Sequence, residues 1–418
     1  MFRKLLTFDE AKKVIESQFK PKPLGVEEVS LLAASNRVLA QNVRAELDVP
    51  SFNRSTVDGY AVRAADTFGA EENRPVVLQV SGTVNIGELP RSAVRKGEAA
   101  EIVTGAPMPE GTDAVVMIEY TSRKGDEVTV FSAVARDENV MKAGADIKKG
   151  LTVLKSGRLL GSREIGVLAA LGNAKIKVHL VPRVAVLSTG PEVTEPGRKL
   201  PPGKIYDINA YTLSTAVLES RGKPVYLGVF PDKAGELHEA LVRALACSDM
   251  VVTSGGVSVG PKDIMPKTVD ALGEPGIFVA GVAIKPGKPM TVASVAGKPV
   301  FSLPGHPTSA LLTFQLFVRP LIQAMAFRRT EKRPEVRAIA SMRMFPAKGR
   351  RTFIMVNLKR KKTKGLIAEP VPAAVSGAIT TLAKADGFVE ISEDVQFIDA
   401  GEQVTVKLFE TEGHMQAS

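Results

Sequence analysis

Tryptophan is absent from this 418-residue chain, and it has only five tyrosines, four histidines and one cysteine. Each scarcity excludes something. With no Trp and so few Tyr there is little on which single-stranded nucleic acid could stack, so the formal net charge of +10 does not by itself read as a nucleic-acid surface. The lone Cys247 rules out an intramolecular disulfide framework and reads as a small apolar residue on the helical pattern HEALVRALACSD. Four scattered histidines and that cysteine give no zinc-ligand spacing. No apolar run reaches the roughly 18 residues of a membrane-spanning helix. The N-terminal MFRKLLTFDEAKKVIESQF lacks both an extended apolar stretch and a small-residue cleavage site. A cytoplasmic protein with no membrane or nucleic-acid partner is expected.

What is present fits an ordinary multidomain globular chain, with 44% hydrophobic and 24% charged residues. Thr7 and Glu10 form a T-x-x-E capping box that starts a helix. Helical periodicity in FDEAKKVIESQF and SLLAASNRVLA returns in SREIGVLAALG, and β-rich runs separate the two regions. These features predict a helical linking domain over 1–49 and 138–181, interrupted by a β-rich insertion over 50–137. Alternating strand and helix patterns over 182–327 predict an α/β domain with a mostly parallel sheet. Residues 328–412 turn to β again, enough for a small barrel. The dense basic run KRKKTK, Lys359 to Lys364, lies between two strand-like stretches and reads as a solvated hairpin tip.

Three unusual loops follow strands of the α/β domain. The stretch SGGVSVGPKD spaces Gly255 and Gly260 like a P-loop, but Pro261, Lys262 and Asp263 stand where Lys and then Ser or Thr should follow. STGPEV follows RVAVL, and LPGHPTSA follows KPVFS, with Pro307 suited to a first helical turn. Loops of this kind at one sheet edge bring backbone N–H groups and helix N-termini to bear on an extended anion. The candidates for that grip are Ser188, Thr189, Gly190, Ser254, Gly255, Gly256, Ser258, Gly260 and Gly305. Glu192, Asp232 and Asp263 are interleaved with them, and a divalent metal bridging carboxylate and phosphate, magnesium by default, reconciles acids with an anion site. Asp263 is equally suited to cap the following DIMPKTVDALG. AIKPGKPM sets Lys285 and Lys288 on either side of a Pro-Gly turn that would hold both amines in place.

Together these motifs resemble the molybdopterin molybdenumtransferase family, MoeA and the corresponding domain of gephyrin. The likeness runs from about residue 7 to 410 through PSFNRSTVDGYAVRA, EIVTGAPMPEGTDAVVMIE, GADIKKG, STGPEV, GKIYDINAYTL, TSGGVSVGPKD, AIKPGKP, LPGHPTSA and GRRTF, in that order. It implies the same multidomain layout, with an α/β domain similar to the molybdopterin adenylyltransferases (MogA-like). It also implies a homodimer with its active site at the subunit interface. The implied reaction takes adenylylated molybdopterin and molybdate with Mg2+, hydrolyses the anhydride, releases AMP and inserts the metal into the dithiolene. Carried over residue by residue, the family's functional positions fall on Asp58, Thr104 and Asp146, on Glu192, Asp232 and Asp263, and on Lys285 and Lys288. Pro304 and Pro307 match the prolines of the third loop, Arg350 the barrel arginine and Ser376 a serine in VSGAITTL. The chain departs from the family at Val57, His306, Lys233 and Met355. The same chemistry with tungstate, and a low-turnover molybdopterin carrier, are the alternatives. A bare adenylyltransferase is disfavoured by the flanking VDGYAVR and GADI motifs.

Overall fold

The computed structural model describes residues 5–20, 23–257, 264–327, 333–361, 365–372 and 379–409. The chain divides into two compact units, Glu28–Val178 and the combination of Met1–Glu27 with His179–Ser418.

The second of these holds the α/β sheet. Its strands are β1 (Arg183–Thr189), β2 (Lys223–Phe230), β3 (Met250–Ser254), β4 (Pro275–Ala280), β5 (Thr291–Val295) and β6 (Lys298–Leu303). The helices are α1 (Asn209–Glu219), α2 (Ala234–Cys247), α3 (Ile264–Asp270), α4 (Pro307–Thr313) and α5 (Arg319–Met325). Strand order is β2-β1-β3-β6-β5-β4; β1, β2, β3 and β6 run parallel, and β5 opposes both its neighbours.

The strands are continuous apolar runs because both faces are covered. Val184, Val186, Met250, Val252, Phe301 and Leu303 meet α1, α4 and α5 on one face. Their neighbours Ala185, Leu187, Val251 and Val300 meet α2 and α3 on the other. From β1 the chain crosses to β2 on one side, then from β2 back past β1 to β3. Strand order therefore reverses between β1 and β3, the place where an open α/β sheet leaves a crevice.

Several local features fix this frame. Lys298 Nζ donates to the carbonyls of Leu245 (2.6 Å) and Ser248 (2.9 Å), capping the end of α2 where the helix dipole favours a cation. The helix that begins at Pro307 after β6 widens into a π-turn over Phe314–Val318 between α4 and α5. Pro320 at the start of α5 cannot donate to the carbonyl four residues back, and the wider turn relieves both the lost bond and the ring clash.

The helix Phe8–Gln18 starts on the expected box: Thr7 Oγ1 accepts from Glu10 N, and Thr7 N donates to Glu10 Oε2. Its apolar stripe of Phe8, Ala11 and Ile15 packs into the α/β core. Five strands, Glu335–Ala340, Arg351–Lys361, Gly365–Pro370, Gly387–Ile391 and Gln403–Leu408, close into a barrel because Arg351–Lys361 pairs with both Gly365–Pro370 and Gly387–Ile391. Arg351, only 16% exposed, bridges Asp9 of the first helix and Glu390 and Glu393 of the barrel.

In the unit Glu28–Val178, six strands form one sheet in the order Ala114–Met117, Gly59–Val62, Glu98–Ile102, Val76–Val84, Glu127–Val130, Thr121–Lys124. A separate core of Leu39, Val43, Ile147, Leu160, Leu168 and Val178 surrounds the helix Ser162–Ala170. SLLAASNRVLA is not helical. Residues 31–36 form turns, and Asn36 adopts a left-handed φ of 61° that a helix could not continue. Val38 and Leu39 then make isolated bridges to Leu159 and Val178. Among the described residues no helix is long and apolar enough to cross a membrane.

Candidate functional site

The three loops singled out in the sequence meet at the carboxyl edge of the sheet. β1 ends in Ser188 and Thr189, β3 in Ser254, and β6 in Leu303, and the residues that follow each line one cleft of about 690 Å³. Close approach of the first two loops depends on Gly255. It has φ +97°, and a Cβ there would lie 2.2 Å from the Thr189 carbonyl oxygen. Its N–H donates to Leu303 O at 3.2 Å, so one glycine touches both neighbouring strands.

Glu192 and Asp232 line the same cleft. A Cβ on Gly190 would come 2.8 Å from Glu192 Oε2, and one on Gly256 3.7 Å from Asp232 Oδ1, so the carboxylates approach backbone that carries no side chain. Lys288 also lines the cleft. Its turn is pressed against α4, where a Cβ on Gly287 would meet Thr313 Cγ2 at 2.4 Å.

Lys285 is exposed and does not line that cleft. Its two-residue strand pairs in parallel with the start of the barrel strand, Ile284 opposite Arg351 and Lys285 opposite Thr352. Thr352 Oγ1 accepts from Ala347 N (2.9 Å) and donates to Arg350 O (3.1 Å), fixing the turn that carries Arg350. Lys285 thus pairs two residues along from Arg350, which lies in the turn just before the strand and 65 residues on in sequence. Ser258, Gly260, Asp263 and Ser376 lie outside the described residues.

In the unit Glu28–Val178, Asp58 and Thr104 meet. Asp58 Oδ1 accepts from the Thr104 N–H (2.6 Å) and from its hydroxyl (2.8 Å). Those bonds, the backbone one first, hold the exposed Asp58 carboxyl below its ordinary value. Asp146 is exposed, and its N–H donates to Val49 O at 3.0 Å.

Two polar residues of the motif GKIYDINAYTL, Asp207 and Asn209, have no role assigned by sequence and stand in the cleft wall. Asp207 Oδ1 accepts from Ser188 Oγ (3.0 Å) and from Ala210 N (3.1 Å). Burial pushes its carboxyl up, and these hydrogen bonds offset that only in part. Asn209 Nδ2 donates to Ser254 Oγ and to Gly305 O, each at 2.7 Å. An Asp-x-Asn at the start of a helix resembles ordinary capping, which is why the sequence alone did not mark it.

Among the described residues no three carboxylate, histidine or cysteine side chains gather as a metal-binding group. Glu192 and Asp232 still offer two hard oxygen donors in one cleft. Magnesium keeps several waters and commonly takes one or two carboxylates plus substrate phosphates, so this donor set fits it.

Family models match nearly the whole chain: "MoeA N-terminal region (domain I and II)" over residues 6–172, "Probable molybdopterin binding domain" over 185–324 and "MoeA C-terminal region (domain IV)" over 337–409. The chain is 34% identical over 411 residues to a molybdopterin molybdenumtransferase of Haemophilus influenzae, covering 97% of this chain and 99% of that one. It is 33% identical over 390 residues to the protein of that name from Bacillus subtilis, covering 92% and 90%. A crystal structure of a molybdopterin biosynthesis MoeA protein from Pyrococcus horikosii superposes with a TM-score of 0.85 at 41% identity, covering 98% of this chain and all of that one.

Proposed function

This chain belongs to the molybdopterin molybdenumtransferase family, and from that premise we propose that it is a transferase inserting molybdate into adenylylated molybdopterin and releasing AMP. The observation that carries the reading is the single cleft into which three strand-end loops, Glu192, Asp232 and Lys288 converge. Substrate phosphates would take the backbone donors after β1 and β3 and at the start of α4. Two dianions held about 5 Å apart repel by roughly 13 kcal/mol even at an effective dielectric near 20. Lys288 in the cleft, and Lys285 on the short strand paired with Arg351–Thr352, are cations suited to offsetting that repulsion.

Glu192 and Asp232 would hold a magnesium ion, which when bound supplies positive charge at the anhydride. A homodimer is proposed with this reading, and sedimentation equilibrium tests it.

The test of function is anaerobic AMP release from adenylylated molybdopterin with magnesium, run with molybdate, with tungstate and with neither. Oxyanion-dependent release coupled to metal insertion is expected, and the better oxyanion identifies the natural one. Tight binding of the pterin by folded protein, without release in any arm, would refute the transferase and favour a carrier.

A further inference from the structure

The Asp207–Asn209 turn at the head of α1 touches all three loops of the cleft. Asp207 holds the first through Ser188 Oγ (3.0 Å). Asn209 holds the second through Ser254 Oγ and the third through Gly305 O, both at 2.7 Å. Ser254 Oγ reaches on to Pro304 O at 3.4 Å, so the second and third loops are also joined to each other.

A residue present only to start a helix would be expected to leave its polar atoms satisfied. Here Asp207 Oδ2 and Asn209 Oδ1 are both shut off from solvent without a hydrogen-bond partner, and so is Thr189 Oγ1 in the first loop. Buried unpartnered oxygens are uncommon, and each calls for an explanation. Three of them lie in residues that line this one cleft.

From this network we infer that Asn209, supported by Asp207, is a positioning residue for the pterin substrate: it holds the Ser254–Gly256 and Pro304–His306 loops at the separation that the phosphate-bearing ligand requires. This rests on the transferase reading above. Lys285 and Arg350 are held by a different device, the pairing of Ile284–Lys285 with Arg351–Thr352. Loss of Asn209 therefore loosens the grip on one substrate and leaves the Lys285–Arg350 corner as it was.

The test compares Asn209→Ala, the equal-volume Asn209→Asp, which has no donor near neutral pH, and Lys285→Ala. In anaerobic AMP release, both Asn209 variants are expected to raise KM for adenylylated molybdopterin at least tenfold and to leave KM for molybdate within twofold. Lys285→Ala is expected to show the reverse pattern. Hydrogen exchange on the unliganded protein supplies a readout that needs no turnover. Peptides covering Met250–Val257 and Leu303–Ala310 are expected to exchange at least tenfold faster in Asn209→Ala, while the segment around Ile284–Lys285 is unchanged.

Equal changes in both KM values would overturn the inference, as would exchange that speeds up throughout the unit or at neither loop. Variants that both fail to fold would show a structural residue and overturn it too. A wild type without oxyanion-dependent release would count against the transferase reading instead, and the exchange experiment would still decide the role of Asn209.

Discussion

Replacing Gly255 by alanine tests whether close approach of the first two loops is what makes the cleft work. The new Cβ would lie 2.2 Å from the Thr189 carbonyl oxygen and 3.0 Å from Thr189 Oγ1. An ordinary contact needs about 3.4 Å, so the loops after β1 and β3 must part by about 1 Å. The backbone also holds φ +97°, where a side chain costs about 1–2 kcal/mol. A displacement of that size at a positioned site costs about 100-fold in rate, equivalent to about 2.7 kcal/mol of transition-state stabilisation.

Gly297→Ala is the matched control. It has φ +76° with nothing within 4 Å of the added carbon, so it carries the conformational cost without the collision. AMP-release kinetics and thermal melting are measured for both. Both variants are expected to melt a few degrees low, at about 2–4 °C per kcal/mol for a domain of this size. Only Gly255→Ala is expected to lose kcat/KM by about 100-fold. A Gly255→Ala enzyme within threefold of wild type would refute the claim that the Thr189–Gly255 contact sets the cleft.

Thr104→Val removes the hydroxyl donor to Asp58, whose carboxyl the Thr104 bonds hold below 3.8; the acid limb of the pH–activity profile is expected to move up, and an unmoved limb would count against Asp58 as its source. Glu164, paired with Arg158 at 2.6 Å and bonded to Gly161 N, is held down to about 2 from 4.5. Since Arg158 is 57% exposed, screening cuts the pair to about 1–2 kcal/mol. Glu164→Gln should lose that stability at neutral pH, and the gap to wild type should shrink as pH falls from about 4.5 toward 2; a constant gap in denaturant midpoints would refute the assignment. Lys285→Ala is expected to keep its melting profile and lose most turnover; near wild-type activity would remove Lys285 from the site. Chelating magnesium is expected to abolish AMP release and calcium to restore it poorly, because calcium favours longer bonds and more ligands.

Much of this architecture was legible because parallel strands buried on both faces must be apolar runs, and RVAVLS, DMVVTS and KPVFSL are such runs. The loops after them were legible for the complementary reason: Gly, Ser and Pro after a buried strand mark backbone that leaves the sheet edge under constraint. The structure brings Ser188, Ser254 and Pro304 to one cleft. Short-range periodicity failed where it could not see tertiary context. SLLAASNRVLA has a helical spacing, yet it is cut by the left-handed Asn36 and drawn into bridges with Leu159 and Val178. The pairing of Lys285 with the barrel strand could not be read either, since nothing local to AIKPGKPM specifies a parallel partner 67 residues on. Asn209 was hidden because its partners come from two other strand ends.

The charges of the cleft argue that its selectivity lies in geometry more than in net attraction. Glu192, Asp232 and the buried Asp207 line it alongside Lys288, so the described side chains present more negative than positive groups to an anionic substrate. A site that gripped phosphate through lysines alone would also welcome many unrelated phosphates. One that sets backbone donors against carboxylates disfavours an anion unless it arrives with a cation and reaches donors on all three loops. Asp207 faces inward to the fold: its Oδ1 holds the Ser188 hydroxyl and the Ala210 N–H at the head of α1. On this reading the Asp207–Asn209 turn links discrimination to catalysis: the loop spacing it maintains is what a phosphate-bearing pterin matches and a simple phosphate does not.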